Sequence, residues 1–413
     1  MLFQKLLFLP LAFLFSYIPM TCETPSATVT CEVQDVSAAV GAALQSSLKV
    51  YSTFVTSTVS FKPDFCAHSS KNYTLMCAQG SAIVYRIEGD DTYILTNYHV
   101  VFNSGADETA NGGKTAREIY CYLYGSEDAP KMTGEKDKTY GFPLCDFGEY
   151  GIRCEYAGGS VSADLALLKA KTSDITAVNE KIREATLADG YTAGETAIAI
   201  GNTEGEGISV TRGIVSVENE WIPLKIDGAE RKYRCLRIDT PIYNGNSGGG
   251  LFNTEGKLIG ITNAGSTEKP NINYAIPISI VHGMAENLLH HYLDGNPDTF
   301  GAYKIALGCT VSGEHSKYLY DDQSGTGKIV EETRIDRIAD QSIAKALGLA
   351  EGDMITHLIV NGDAHRVERA FDISDLLLTV RAGDTLSVTY LRGGEKADSA
   401  EYTVSASDLN PIA

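Results

Sequence analysis

The residues Gly245-Asn246-Ser247-Gly248-Gly249-Gly250 constrain the fold more than any other stretch, because four of the six are glycines around a single hydroxyl. Glycine costs about 1 kcal/mol against alanine inside a helix, so this density makes sense where the backbone takes unusual dihedrals or lies close to another group. Strand-like runs flank it. Leu251-Phe252-Asn253, the turn Thr254-Glu255-Gly256 and a strand-like run over 257–262 follow, so no helix begins there. Taken alone, the stretch reads equally as a flexible hairpin turn or as a serine presented to a partner, and the rest of the chain must decide.

Upstream, residues 37–47 have helical spacing and 50–60 are strand-like. Residues 81–85 and 92–96 flank the turn signal Gly89-Asp90-Asp91 and predict a hairpin whose second strand runs directly into Asn97-Tyr98-His99. Residues 102–150 are rich in Gly, Asp, Lys and Ser, and predict surface loop around one short strand at 119–124. Asp164 opens the apolar run Leu165-Ala166-Leu167-Leu168, and further short strands are predicted at 196–200, 208–217 and 236–239. Many short strands without alternating helices indicate a sandwich or barrel. An amphipathic helix over 278–292, capped by Ser279 and stopped at Gly295-Asn296-Pro297, closes this first unit. On that helix His290 and His291 point about 100° apart, which predicts a solvated face and no shared metal. A second unit of about 100 residues follows, with predicted strands at 305–311, 328–338, 353–361, 385–391 and 401–405 and a helix at 370–380, a small α+β module.

The formal charge of -19 comes from 34 basic against 53 acidic residues and would repel a phosphate backbone, so nucleic acid is excluded as a partner. Lys5 followed by the 13-residue apolar run 6–18 is too short to span a bilayer and fits a secretory signal, so export is expected, either secreted or attached to the cell surface. Nine cysteines suit an oxidising compartment, and no CxxC pair suggests zinc; neither metal nor cofactor is expected. A lipid on Cys22 would give the only membrane attachment and leave eight cysteines, although the residues before it make a poor lipobox. Cys66 with Cys77, and Cys145 with Cys154, are candidate pairs for stapling loops.

Ser247 satisfies G-x-S-x-G, but a nucleophile elbow demands a following helix, which is absent here. A β-barrel serine protease instead demands histidine, aspartate and serine in that order beside strands, and His99, Asp164 and Ser247 meet it. A serine hydroxyl is a weak nucleophile at neutral pH; an imidazole must take its proton and a carboxylate must fix the imidazole tautomer.

These residues also resemble the HtrA (Deg) serine proteases of the trypsin-like group. Leu95-Thr96-Asn97-Tyr98-His99-Val100-Val101 is similar to that family's histidine motif, Ala163-Asp164-Leu165-Ala166-Leu167-Leu168 to its aspartate motif and Gly245-Asn246-Ser247-Gly248-Gly249 to its serine motif. The second unit resembles a PDZ domain, with Leu307-Gly308 near its start and Gly352-Asp353-Met354-Ile355 later. The resemblance implies an all-β double-barrel trypsin-like protease domain followed by a small α+β PDZ domain. The expected boundaries are a signal over 1–22, a linker over 23–35, the protease domain over 36–295, a linker over 296–303 and the PDZ domain over 304–407. It implies catalysis by His99, Asp164 and Ser247 with an oxyanion hole at the amides of Gly245 and Ser247, acting on unfolded or damaged protein. It also implies peptide C-termini bound at Leu307 and Gly308 against the 370–380 helix, and assembly as a trimer. Thr240, Ile242, Ile261, Thr262 and Asn263 are the expected substrate-pocket residues; none is acidic, which predicts small or medium aliphatic side chains at the cleavage position. Two departures stand out: Gly250 replaces the family's usual proline and could loosen the oxyanion loop, and the 102–150 insertion is long. An esterase on the same triad, or an inactive PDZ-containing binding protein, are the rival readings.

Overall fold

A computed structural model describes residues 35–412 apart from 63–67, 127, 227, 266–268, 270, 297–300 and 324. The expected signal, Cys22 and Cys66 lie outside the described residues. After the short helix α1 (Ser37–Ala43), six strands close a barrel: β1 (Ser47–Lys62), β2 (His68–Glu88), β3 (Asp91–Thr96), β4 (Glu118–Leu123), β7 (Ile152–Ser160) and β8 (Leu165–Lys171). Helix α2 (Tyr98–Val101) follows β3, and helix α3 (Thr172–Val178) follows β8. The predicted loop at 102–150 holds a separate two-stranded sheet, β5 (Lys131–Lys136) with β6 (Pro143–Asp146). A polar, fully exposed β5 carries no alternation for sequence reasoning to find. The second barrel is built from β9 (Thr196–Asn202), β10 (Ile208–Lys225), β11 (Glu230–Ile238), β12 (Gly250–Phe252), β13 (Leu258–Gly265) and β14 (Asn273–Pro277).

Strands β3 and β8 are apolar on both faces because each face meets a different core. Ile94, Ala166 and Leu168 fill the first barrel, whereas Leu95, Leu165 and Leu167 pack against Ile198, Ile200 and Ile261 of the second. Alternate side chains of one strand thus bind the two barrels together, with roughly 1.5–3 kcal/mol for each fully buried leucine. Helix α4 (Ile278–Leu293) lays Val281, Met284 and Leu288 on the same core. Its N-cap is Pro277 and not Ser279, whose hydroxyl instead donates to Asp375 at 2.7 Å. His291 is 6% exposed, against the expected solvated position, because its ring packs on Tyr303 at 4.5 Å between centroids. Burial, with no hydrogen-bond partner on either ring nitrogen among the described residues, lowers its pKa to about 4.

The C-terminal module contains β15 (Ala302–Ile305), β16 (Cys309–Asp321), β17 (Thr326–Ile338), α5 (Ile343–Ala346), β18 (Met354–Val360), β19 (Asp363–Arg366), α6 (Ala370–Leu376), β20 (Thr385–Arg392), β21 (Glu395–Asp398), β22 (Tyr402–Thr403) and β23 (Leu409–Ile412). Its main sheet runs β16-β17-β18-β20-β21, leaving β16 at the edge. The fold is therefore two trypsin-type barrels followed by a β-rich, PDZ-like module. Helix α6 joins module and barrels: Asp375 pairs with the buried guanidinium of Arg234 on β11, and Phe371 stacks on that guanidinium at 4.1 Å.

The six described cysteines are free thiols. Cys154 does not meet Cys145, as the sequence suggested; its Sγ lies 3.3 Å from Cys121, because β7 and β4 are barrel neighbours while Cys145 belongs to the separate β5–β6 sheet.

Candidate active site

His99 lies in the first turn of α2, one element beyond the strand end that the sequence suggested. Its Nδ1 is 2.8 Å from Asp164 Oδ2, and its backbone N–H donates to Asp164 Oδ1 at 3.0 Å, so one carboxylate grips both the ring and the main chain. Asp164 is fully buried and sits at φ 51°, in the left-handed region where aspartate is better tolerated than most residues. Asn97 holds it there by donating Nδ2 to the Asp164 carbonyl at 2.9 Å. Burial disfavours the His99 imidazolium, but the Asp164 charge and its hydrogen bond outweigh that and raise the imidazole above its ordinary pKa. The His99 side chain remains 33% exposed.

Ser247 arrives from the turn before β12. Ser81 of the first barrel anchors that turn: its N–H donates to the Ser247 carbonyl at 2.8 Å, its hydroxyl donates to the Gly245 carbonyl at 2.7 Å, and it accepts from the Asn202 amide at 2.7 Å. Thr262 braces the same turn from below through hydrogen bonds from its hydroxyl to the carbonyls of Asn246 and Gly249, at 2.5 and 3.1 Å. Sequence reasoning missed Ser81, whose sole signal is one small polar residue opening an apolar strand.

The glycines follow from these close approaches. Gly245 has φ 91°, and a Cβ there would lie 2.1 Å from the Asn202 carbonyl oxygen; at Gly248, φ 87°, it would lie 2.2 Å from the Ser81 carbonyl oxygen. Neither the Gly245 nor the Ser247 amide donates a hydrogen bond among the described residues. Two unengaged N–H groups beside a serine are what an oxyanion hole requires. Gly250 is not a loosened hinge: it starts β12, paired with Ile200 and Ile261, and the Phe252 ring occupies the space a Cβ would need.

The Ser247 hydroxyl donates to the Asn263 carbonyl at 3.2 Å, and among the described residues no hydrogen bond joins it to His99. That contact is longer than the usual 2.7–2.8 Å for a hydroxyl donor, so a rotation about one side-chain bond can release it.

The expected pocket residues have divided roles. Asn263 and Thr262 touch the serine turn, Ile242 is half-buried against the second-barrel core, and Thr240 is buried with its carbonyl accepting from Asn273 at 2.9 Å. Ile261 is fully buried in the core between the barrels. Leu307 and Gly308 line a groove of about 610 Å³ with Val311 of β16 and Ile373 and Leu377 of the α6 segment. Among the described residues no cluster of three or more His, Cys, Asp or Glu could hold a metal.

The trypsin-like peptidase domain family matches residues 80–261. The chain is 28% identical over 411 residues to the serine protease Do-like HtrA of Lactococcus lactis subsp. cremoris, covering 93% of this chain and 88% of that protein. It is 28% identical over 352 residues to the Do-like HtrA of Lactococcus lactis subsp. lactis, covering 82% and 73%. Among solved structures, the HtrA-type protease AlgW with decapeptide aligns at a TM-score of 0.50 and 24% identity, covering 91% of this chain and 99% of that one.

Proposed function

We propose that this chain, an HtrA-like protein whose peptidase domain has the trypsin fold, is an exported serine endopeptidase that cleaves unfolded or damaged protein and holds peptide ends in its PDZ-like module. The observation that carries the reading is the grip of Asp164 on both the ring and the backbone of His99, beside a serine turn with two unengaged amides. His99 takes the Ser247 proton as the hydroxyl oxygen attacks the scissile carbonyl, and later returns it to the leaving amine. Asp164 keeps Nδ1 protonated so that Nε2 can accept. The Gly245 and Ser247 amides receive the developing negative charge, each donor contributing roughly 3 kcal/mol in comparable sites. The groove at Leu307 and Gly308, beside the edge strand β16, suits a peptide added as a further strand.

Fluorophosphonate labelling and casein digestion test this together, with Ser247→Ala as the control. Labelling at Ser247 and serine-dependent fragmentation are expected; hydrolysis of a small ester with casein left whole would make the protein an esterase. A second reading has one observation in its favour: the Ser247 hydroxyl rests on the Asn263 carbonyl, as in a protein latent until a ligand binds. Labelling that appears only after a peptide is added would favour it.

A further inference from the structure

Strand β16 is far longer than the groove at its start. It runs from Cys309 to Asp321, pairs only with β17, and leaves its outer edge open among the described residues. The groove takes in Val311 but nothing further along the strand. Beyond it, Tyr318 is 64% and Tyr320 58% exposed, and facing Ile329 on β17 is 38% exposed.

The register shows which way these side chains point. Val311 lies opposite Ile335, Tyr318 opposite Ile329 and Tyr320 opposite Gly327. Residues 335, 329 and 327 differ by even steps along β17, so they share one face. Ile335 on that face is buried in the module core, and Glu331, also on it, accepts from the Ala370 amide of α6 at 3.3 Å. The extra residue on β16 between Glu314 and Lys317, where His315 has φ 50°, restores this parity. Without that bulge the tyrosines would face away from α6. The absent side chain of Gly327 leaves room for the Tyr318 ring, whose Cζ would lie 2.4 Å from a Cβ there. The tyrosines therefore extend the groove's apolar wall along the same face.

We propose that this edge is a recognition surface for extended polypeptide about ten residues long, with Tyr318, Tyr320 and Ile329 gripping apolar side chains well upstream of the ligand's C-terminus. The inference rests on the peptide-binding reading above. A ligand carboxylate at Leu307 and Gly308 lies at the start of β16, so the preceding residues can continue only alongside that strand. At about 3.3 Å per residue, Tyr318 is reached after some ten residues. An open edge carrying exposed aromatics invites pairing with another strand, and its continuity with the groove selects an extended peptide as the occupant.

The test uses the full chain carrying Ser247→Ala, so that no probe is cut. Two fluorescein-labelled peptides share the same last four residues, ending in valine with a free carboxylate; one stops there, and the other continues upstream to twelve residues with leucine at alternate positions. The longer peptide is expected to bind at least tenfold more tightly. Tyr318→Ser with Tyr320→Ser should abolish that gain while leaving the tetrapeptide affinity unchanged, which also reports that the module is folded. A proline at the tenth position from the end, which cannot donate to a ladder, should likewise remove it. Equal affinities for the two lengths, or a gain that survives the tyrosine substitutions, would overturn the proposal. So would tyrosine-dependent self-association of the peptide-free protein without any length effect, since the occupant would then be a second copy. If the tetrapeptide fails to bind but the longer one binds through the tyrosines, the reading of the groove falls and the edge stands.

Discussion

The first barrel contributes a completed acid–base pair, with His99 held at ring and backbone by one buried carboxylate. The second contributes a nucleophile still engaged elsewhere, its hydroxyl on the Asn263 carbonyl, with the Gly245 and Ser247 amides lacking protein acceptors among the described residues. The Asp164 side chain has no solvent contact, so it must find its hydrogen bonds inside the protein, and His99 supplies two of them. The serine turn is no shallower: Gly245, Asn246 and Gly248 are buried and Ser247, like His99, is half-buried, so the contrast lies in the hydrogen-bond partners and not in depth.

The comparison is broken most severely by Asp164→Asn, which keeps the shape but removes the charge that fixes the tautomer. A loss in kcat of about 10⁴-fold is expected, as at comparable triads. The pH profile sharpens the same point. Activity requires neutral His99, so it should rise with pH through a value above the ordinary imidazole 6.5, and in Asp164→Asn the remaining burial should move that limb downward. Gly245→Ala attacks the other half: its Cβ would strike the Asn202 carbonyl, displacing one oxyanion donor, with an expected loss in kcat of about 10²–10³-fold in peptide hydrolysis. Thr262→Val removes both bonds from the brace under the turn. The single hydroxyl proton shared between the two carbonyls is worth about 1 kcal/mol, so a fall of roughly fivefold in kcat/KM is expected together with a modest fall in melting temperature. Away from the site, Asp375→Ala leaves the Arg234 guanidinium buried without its carboxylate, and about 3–5 kcal/mol of stability should be lost in urea unfolding.

The parts legible in the sequence were those with a strong local pattern. Leu165 to Leu168 could be read as a buried strand, and the order of His99, Asp164 and Ser247 decided between hydrolase folds. The glycines at 245 and 248 could be read as backbone requirements, and each now has a named carbonyl against which a side chain would collide. Other features had no local signature. The four-residue helix that carries His99 is shorter than two turns, so it leaves no periodicity. Ser81 acts through partners 164 and 121 residues away, and the Cys121–Cys154 contact depends on which strands the barrel makes neighbours. The far half of β16 was hidden by its bulge at His315, which interrupts the alternation just where the edge becomes aromatic.

The His99–Asp164 pair is pre-formed, and the proposed catalysis requires it to activate Ser247 once the hydroxyl leaves the Asn263 carbonyl. The rate of fluorophosphonate labelling at Ser247, followed from pH 5 to 9, measures it most directly. Labelling of one serine per chain, accelerating through an inflection above 6.5 that Asp164→Asn abolishes or lowers, is the predicted result. Labelling that is absent, or whose rate ignores both pH and the substitution, would contradict it.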